Sequence, residues 1–321
     1  MIDNKNNNDP YFVIIIDGGL GDHICSTYMI MKAKQQMKNK KIIVGAFHPD
    51  IFLNNPHIDS LYNITKLNDM YEKYIKPLKN FGSVRKRDIY NVGGNKLWKG
   101  KLSELWCYNY GIEYKRGEDL IKLYLSDKEK EEAKNIIDSF SNKRQVVIIQ
   151  PFGATVVYER DKKITNNKDW FVDYWTVVNK VLSEKYNVIQ VGSSNEPNLK
   201  YCYNLQGKIS IRQTIGLINE CKTYISVDSF VGHSGAALNK KGIVLFGRSN
   251  PHIVGHSGNI NLWVENSCDK NDLFCCRPAG YFADYKMTNG QISLWECPLR
   301  TCMIELKPQL VIEKLKEIIE L

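Results

Sequence analysis

The chain is expected to fold as two successive doubly wound α/β halves that end in an amphipathic helix. Three observations carry this expectation. Apolar runs at 12–16 and 145–150 each lead straight into a turn containing Gly or Pro; helix-like segments follow both turns; and the last fourteen residues show a helical apolar stripe. Strands this apolar suit parallel sheets covered on both faces.

Phe12-Val13-Ile14-Ile15-Ile16 reads as the first strand, and Asp17-Gly18-Gly19-Leu20-Gly21-Asp22 as the turn after it. A helix is predicted over 22–37, with Ile24, Tyr28 and Met31 on one stripe, and a second strand over 42–46. The polar stretch 139–144 separates the halves. The second half opens with a strand at 145–150 that runs into Pro151-Phe152-Gly153-Ala154. A helix at 170–185, a strand at 187–191, a helix at 210–221 and a strand at 223–227 follow. A short helix at 232–239 and a strand at 242–246 complete the pattern. Leu310, Val311, Leu315, Ile318 and Ile319 form the apolar stripe of a final helix over 308–321. The expected domains are 1–140, 145–306 with a Cys-rich insertion at 268–302, and the terminal helix 307–321. Ligands of open parallel sheets bind beyond the carboxyl ends of the strands, so chemistry is expected just after strands, in a cleft shared by the two halves.

Composition narrows the field. The 321 residues are 43% hydrophobic and 25% charged, near the globular average, which excludes a disordered tail or a fibrous rod. No apolar run is long enough for a membrane span. The Asp/Asn-rich start lacks the basic and apolar parts of a secretory signal, so a cytoplasmic location is expected. The net charge of +9 is concentrated: residues 30–101 hold 15 basic and 5 acidic side chains, and the remainder is nearly neutral. Such a region can attract an anionic partner, although a solvated lysine-rich surface looks the same in sequence.

The turn at 17–22 is not a dinucleotide fingerprint. A Gly-x-Gly pattern counted from Gly19 needs a small residue where Ile24 stands, and the strand at 42–46 leads into Phe47 and His48 with no acid to hold a ribose. No Gly-Lys-Ser/Thr follows, so it is not a P-loop either. Asp22 at a helix start also reads as an ordinary cap. The most informative segment is Ile225 to Ala237, where a buried strand ends in Asp228-Ser229 and a small-residue helix with His233 near its start follows. Backbone N–H groups and the helix dipole make such a place an anion site. The helix is so small that something must approach it closely.

Seven segments in order make the chain resemble the glycosyltransferase family of lipopolysaccharide heptosyltransferases, family 9, which has the GT-B fold of two Rossmann-like domains facing a cleft. They are Gly18-Gly19-Leu20-Gly21-Asp22, Asn55-Pro56-His57-Ile58-Asp59, Lys168-Asp169-Trp170, Gly192 to Glu196, Leu205 to Ser210, Asp228-Ser229-Phe230-Val231-Gly232-His233, and Phe246-Gly247-Arg248-Ser249-Asn250-Pro251. The resemblance implies an inverting transfer of a sugar from a nucleoside-diphosphate donor to a hydroxyl. Asp22 would be the general base, with Gly19 and Gly21 shaping its turn on the acceptor side. Lys168 would neutralise the diphosphate, Glu196 would hold the ribose, and Asp228, Ser229, Gly232 and His233 would line the diphosphate pocket. No cofactor would be needed for the transfer. The chain departs from the family pattern at Phe230, which stands where the family has glycine, in the loop Ala154 to Tyr158, where the family often has a short Ser/Arg-rich loop, and in an added Cys-rich segment before the last helix. The acceptor would be an anionic glycan, glycolipid or protein, or less favourably a nucleic acid; a homo-oligomer is compatible. Two other readings stay open: a nucleotide-sugar epimerase of the same fold, and a non-catalytic nucleotide-sugar-binding protein, for which Phe230 speaks.

Of nine cysteines, Cys25, Cys107, Cys202 and Cys221 sit in apolar or helical contexts and read as small buried hydrophobes. Cys268, Cys275, Cys276, Cys297 and Cys302 are clustered. Cys275, Cys276, Cys297 and Cys302 could form a four-thiolate structural site for iron or zinc. A related branch of the resembled family carries such an iron site; free thiols and a disulfide are the alternatives.

Overall fold

The computed structural model describes residues 9–66, 68–77, 84–86, 100–118, 120–153, 157–159, 162–164, 168–247, 249–264 and 301–321. The chain divides into two units, Met1–Ser126 and Asp127–Leu321.

The first unit is built on β1 (Tyr11–Ile16), whose Val13, Ile14 and Ile16 are fully buried. It lies between β2 (Lys41–Ala46) and β4 (Val84–Lys86), and β3 (Ser60–Asn63) extends the sheet beyond β2. All pairs are parallel and the order is β3-β2-β1-β4. Asp59 accepts hydrogen bonds from the Ile42 N–H at 2.7 Å and from Lys34 at 2.5 Å. The Asn-Pro-His-Ile-Asp segment thus braces the entry to β3. The helix after the glycine turn, α1 (Leu20–Gln36), starts earlier than the pattern indicates. The nine positions from Asp22 to Ile30 are all buried, and Met31 is the half-buried member of the expected stripe. A second helix, α2 (Leu102–Tyr110), covers it and stops at Gly111, whose φ of 64° is the left-handed conformation that glycine adopts cheaply. The Tyr110 hydroxyl donates to the Ile15 carbonyl at 2.6 Å, which fastens α2 to the carboxyl end of β1.

The second unit opens with α3 (Asp127–Asp138), which lies upstream of the expected boundary at 145 yet packs on α5 below. Its sheet contains β5 (Val146–Gln150), β8 (Asn187–Gln190), β9 (Tyr203–Asn204), β10 (Thr223–Val227), β11 (Ile243–Phe246) and β12 (Ile260–Trp263). A short antiparallel hairpin, β6 (Val157–Glu159) and β7 (Lys162–Ile164), stands apart. The order β12-β11-β10-β5-β8-β9 is wholly parallel. Counted within the unit, this is the doubly wound Rossmann order. The crossovers are α4 (Val172–Ser183), α5 (Ile211–Glu220), α6 (Phe230–Ala237) and α7 (Pro251–Val254). The chain ends with α8 (Thr301–Glu305) and α9 (Pro308–Leu315). The last helix is shorter than its stripe indicates, but Val311, Leu315 and Ile319 are buried in one core with Trp175, Val178 and Leu182. Trp170 is locked into that core by its indole N–H, which donates to the Leu306 carbonyl at 2.9 Å. Among the described residues no helix is long and apolar enough to cross a membrane.

Candidate functional site

In the second unit the winding reverses between β5 and β10, and the segments after these two strands converge there. The Gln150 side chain at the end of β5 accepts the Val231 N–H at 2.8 Å, which ties β5 to the first turn of α6. Just beyond, the Gly153 N–H donates to Asp169 at 2.8 Å. With Trp170 anchored in the core and Asp169 holding this loop, Lys168 is directed at the end of β10. Its Nζ lies 2.8 Å from Asp228 Oδ2 and 3.4 Å from the Asp228 carbonyl oxygen. His233 Nε2 stands 3.7 Å from Asp228 Oδ1 on the other side, and the Ser249 hydroxyl, from the loop after β11, bonds to the same carboxylate. Asp228 is 4% exposed. Burial alone would raise its pKa; the Lys168 ammonium, His233 and these hydrogen bonds outweigh that and hold it below the usual carboxylate range. Lys168, with a fifth of its side chain exposed, is the cation this arrangement offers to an anion.

Helix α6 begins at Ser229, whose side chain does not cap it, so the hydroxyl is not spent on the helix. Phe230 is buried and its φ is negative, so the position makes no demand that only glycine could meet. The smallness of the helix has a packing cause. A Cβ on Gly235 would lie 2.0 Å from the Tyr224 ring, and one on Gly242 2.5 Å from the same ring. A Cβ on Gly232 would meet Val244 at 3.0 Å and Ser226 at 3.1 Å. What approaches the helix closely is therefore Tyr224 and the neighbouring strands. The Tyr224 hydroxyl bonds to Asn259, whose amide donates to the Gly232 carbonyl at 3.2 Å. Next to these, His233 Nδ1 lies 2.8 Å from His256 Nε2. His256 carries no motif in the sequence; only the fold brings its turn back beside α6.

Glu196 closes the turn after β8. Its carboxylate accepts the Ser193 N–H at 2.9 Å and curls under Gly192, where φ is +153° and a Cβ would lie 2.0 Å from the carboxylate. Gly207, at φ +67°, packs against Ser194 in the same turn, where a Cβ would come within 2.4 Å. Ser210 and Gln213 exchange the reciprocal hydrogen bonds of a capping box at the start of α5. The Gly-to-Glu and Leu-to-Ser segments thus build one rigid corner at the carboxyl edge of the sheet.

In the first unit Asp22 is the third residue of α1, with Gly19 as N-cap and Gly21 in the first turn. Its Oδ2 accepts the Gly19 N–H at 2.9 Å. The capping reading therefore holds for one oxygen of a carboxylate that is 6% exposed. Gly18 has φ +97°, and a Cβ there would press on Asp22 Oδ2 at 2.8 Å. The next residue, His23, bolts the turn in place. Its Nδ1 donates to the Gly19 carbonyl at 2.8 Å, while its Nε2 accepts the His48 N–H at 3.1 Å. Both ring nitrogens are committed as in a neutral imidazole. Burial is the main cause that lowers the His23 pKa to about 4, and the nearby His48 adds to it. Asp22 belongs to the first unit; Lys168, Glu196, Asp228, Ser229, Gly232 and His233 belong to the second.

The proposed thiolate set lies largely outside the described residues: Cys275, Cys276 and Cys297 do, as does Cys268. Cys302 is described and buried in the core beside Met303 and Leu306. Cys25, Cys107 and Cys221 are buried and Cys202 is half-buried. Burial pushes the Cys202 and Cys221 thiols up to about 12, as inert structural thiols require.

Comparison with known proteins bears on the family and the fold. Residues 107–272 match the profile of glycosyltransferase family 9 (heptosyltransferase). A stretch of 91 residues is 30% identical to lipopolysaccharide heptosyltransferase 2 of Escherichia coli K12, covering 24% of this chain and 26% of that protein. The match thus spans about a quarter of the relative's length. Among solved structures, E. coli ADP-heptose lipopolysaccharide heptosyltransferase II superposes with a TM-score of 0.65 at 18% identity, covering 96% of this chain and 98% of that one. The iron-containing dodecameric glycosyltransferase TibC from enterotoxigenic E. coli H10407 gives 0.66 at 11% identity, with coverage of 97% and 76%. These likenesses establish the fold as that of the GT-B heptosyltransferases.

Proposed function

The chain belongs to glycosyltransferase family 9, and from that premise we propose that it is an inverting glycosyltransferase that moves a sugar from a nucleoside-diphosphate donor to an acceptor hydroxyl. The observation that carries the donor assignment is the cluster of Lys168, Asp228 and His233 at the start of α6, at the switch point of a Rossmann sheet. The buried Asp228 holds Lys168 by two contacts and so fixes the ammonium beside the start of α6. The Ser229 hydroxyl and the backbone N–H groups at the start of α6, apart from that of Val231, which Gln150 takes, add donors without net charge. Glu196, on the corner beside β5, takes the ribose. In the reaction the acceptor oxygen bonds to the anomeric carbon while that carbon's bond to the diphosphate oxygen breaks. The hydroxyl proton passes to the Asp22 carboxylate, and the charge left on the diphosphate is met by Lys168, Ser229 and His233. The cap to Gly19 fixes the direction of the Asp22 carboxylate.

ADP-heptose, named for one of the structural relatives, is the first donor to test. The basic excess over 30–101 favours an anionic acceptor, a phosphorylated glycolipid core foremost. Mass-detected transfer from a panel of nucleotide sugars tests the activity. Asp22→Asn, which keeps an oxygen for the Gly19 N–H, is expected to lose about 10²- to 10⁴-fold in kcat with donor affinity retained. Donor hydrolysis unaffected by that change would defeat the assignment. We also assign a structural iron or zinc to Cys275, Cys276, Cys297 and Cys302, whose soft thiolates suit either ion. Metal content that is lost in Cys297→Ala supports it; metal-free protein prepared anaerobically rejects it.

A further inference from the structure

His256 has no part in the machinery described above, yet it is 8% exposed and its ring meets His233 edge-on, at an interplanar angle of 80°. Its backbone is fixed. The His256 carbonyl accepts the Asn259 N–H at 3.1 Å and the Asn261 side-chain amide at 3.0 Å. Asn259 is itself bound to Tyr224 and to the Gly232 carbonyl. The imidazole is therefore held by the same buried network that supports α6.

A separation of 2.8 Å between His256 Nε2 and His233 Nδ1 calls for one hydrogen between the two rings. If a neutral His233 supplied it, the bare lone pair on its Nε2 would face Asp228 Oδ1, 3.7 Å away, in a buried setting. If His256 supplies it, His233 carries its own hydrogen on Nε2 and turns an N–H toward that carboxylate. The second arrangement replaces a repulsion between electron-rich groups by an attraction, and low local polarity magnifies the difference. The other groups around Asp228, the Lys168 ammonium and the Ser249 hydroxyl, already donate and leave the same need unchanged.

We infer that His256 is a positioning residue of the diphosphate site: its Nε2–H donates to His233 Nδ1 and fixes His233 as the Nε2–H tautomer, the form that can donate to a phosphate oxygen. This rests on the reading of the second unit as the donor site. In that setting His233 meets the diphosphate with a preset N–H, and no ring rotation or proton exchange is needed as charge develops on the leaving oxygen.

Ring ¹⁵N spectra of the histidine-labelled full chain at mildly alkaline pH test the tautomer, with His233→Gln to assign the signals. The expected result is a protonated Nε2 and an unprotonated Nδ1 on His233, averaging between both forms in His256→Leu. His256→Gln, whose amide N–H can take the same place, should keep the native pattern. In parallel, calorimetric titration with ADP and with inorganic pyrophosphate should show about ten-fold weaker binding in His256→Leu and in His233→Gln, no further loss in the double variant, and a change within about three-fold in His256→Gln. A wild-type His233 protonated on Nδ1, or a His256→Leu protein with unchanged spectra and affinity, overturns the inference. Failure of the wild type to bind either probe overturns the donor-site reading instead, and the spectra of the ligand-free protein still decide the tautomer. Should His256→Leu fail to fold, the wild-type and His256→Gln spectra carry the decision.

Discussion

At the scale of single residues, two contacts explain most of the composition around the candidate site. Tyr224 fills the space that side chains at Gly235 and Gly242 would need. Gly235→Ala is expected to destabilise the fold by about 2–3 kcal/mol in chemical denaturation, since the ring is buried and cannot swing away; wild-type stability would refute this packing account. The second contact is the Lys168/Asp228 pair. Lys168→Met leaves a buried carboxylate without its cation and should cost about 3 kcal/mol, most of it regained when Asp228→Asn is added. Donor binding should not return in that double variant, which separates the stabilising role of the pair from its proposed ligand role. Neither contact was legible in sequence. The glycines announced a close approach to the helix, but the partner is a tyrosine on the preceding strand, and tertiary packing alone identifies it. Lys168 and Asp228 were both singled out by motif, although only the structure shows that they hold each other. His256 gave no signal at all, because a lone histidine in a polar loop has no periodicity or spacing to mark it.

At the scale of elements, the strands read most directly where they are buried on both faces. Val146–Gln150 and Thr223–Val227 emerge within one residue of their apolar runs. Ser60–Asn63 does not, because an edge strand of four half-buried residues has no apolar run to display. Asp127–Asp138 is the instructive omission. Eleven of its twelve residues are Asp, Glu, Lys, Asn or Ile, and Ala133 alone is buried. Such a helix looks like solvated linker until its partner is known. The partner is α5: a Cβ on Gly216 would crowd Ala133 at 3.0 Å, so glycine there lets the two helices close up, and Arg212 grips Glu129 through two bonds of 2.5 and 2.8 Å. Both charged groups are largely buried. Arg212→Ala should therefore lower stability by about 2 kcal/mol and raise amide exchange across α3 before other helices, as measured by hydrogen exchange.

At the scale of the whole molecule, each unit's sheet is led by a buried, largely apolar strand, and in the first unit the helix after it has its start pinned by hydrogen bonds. In the first unit that pin is His23, and it makes stability depend on pH. The folded pKa near 4 lies below the unfolded value of 6.5, so the unfolded chain binds the extra proton between them. Stability is therefore complete above pH 6.5, falls as pH drops through that window, and levels off below 4. His23 accounts for about 3 kcal/mol of this loss. His48 and His57, lowered chiefly by burial, act in the same direction. Denaturation midpoints taken over about pH 8 to 4, the range in which histidines titrate, should fall more steeply in wild type than in His23→Gln; parallel curves would show that the ring is not the group responsible. The fold class and the two-half plan were thus readable from runs and turns, whereas the pins that fix each half were not, because they join residues far apart in sequence.

The attachment of Asp127–Asp138 to the second half bears on how the molecule can be cut. A truncation placed at the polar stretch near residue 140, where composition invites it, would strip Glu129 from Arg212 and bare the groove at Gly216. Anyone isolating the second unit should begin upstream of Asp127, so that this charged strap travels with the helix it packs on.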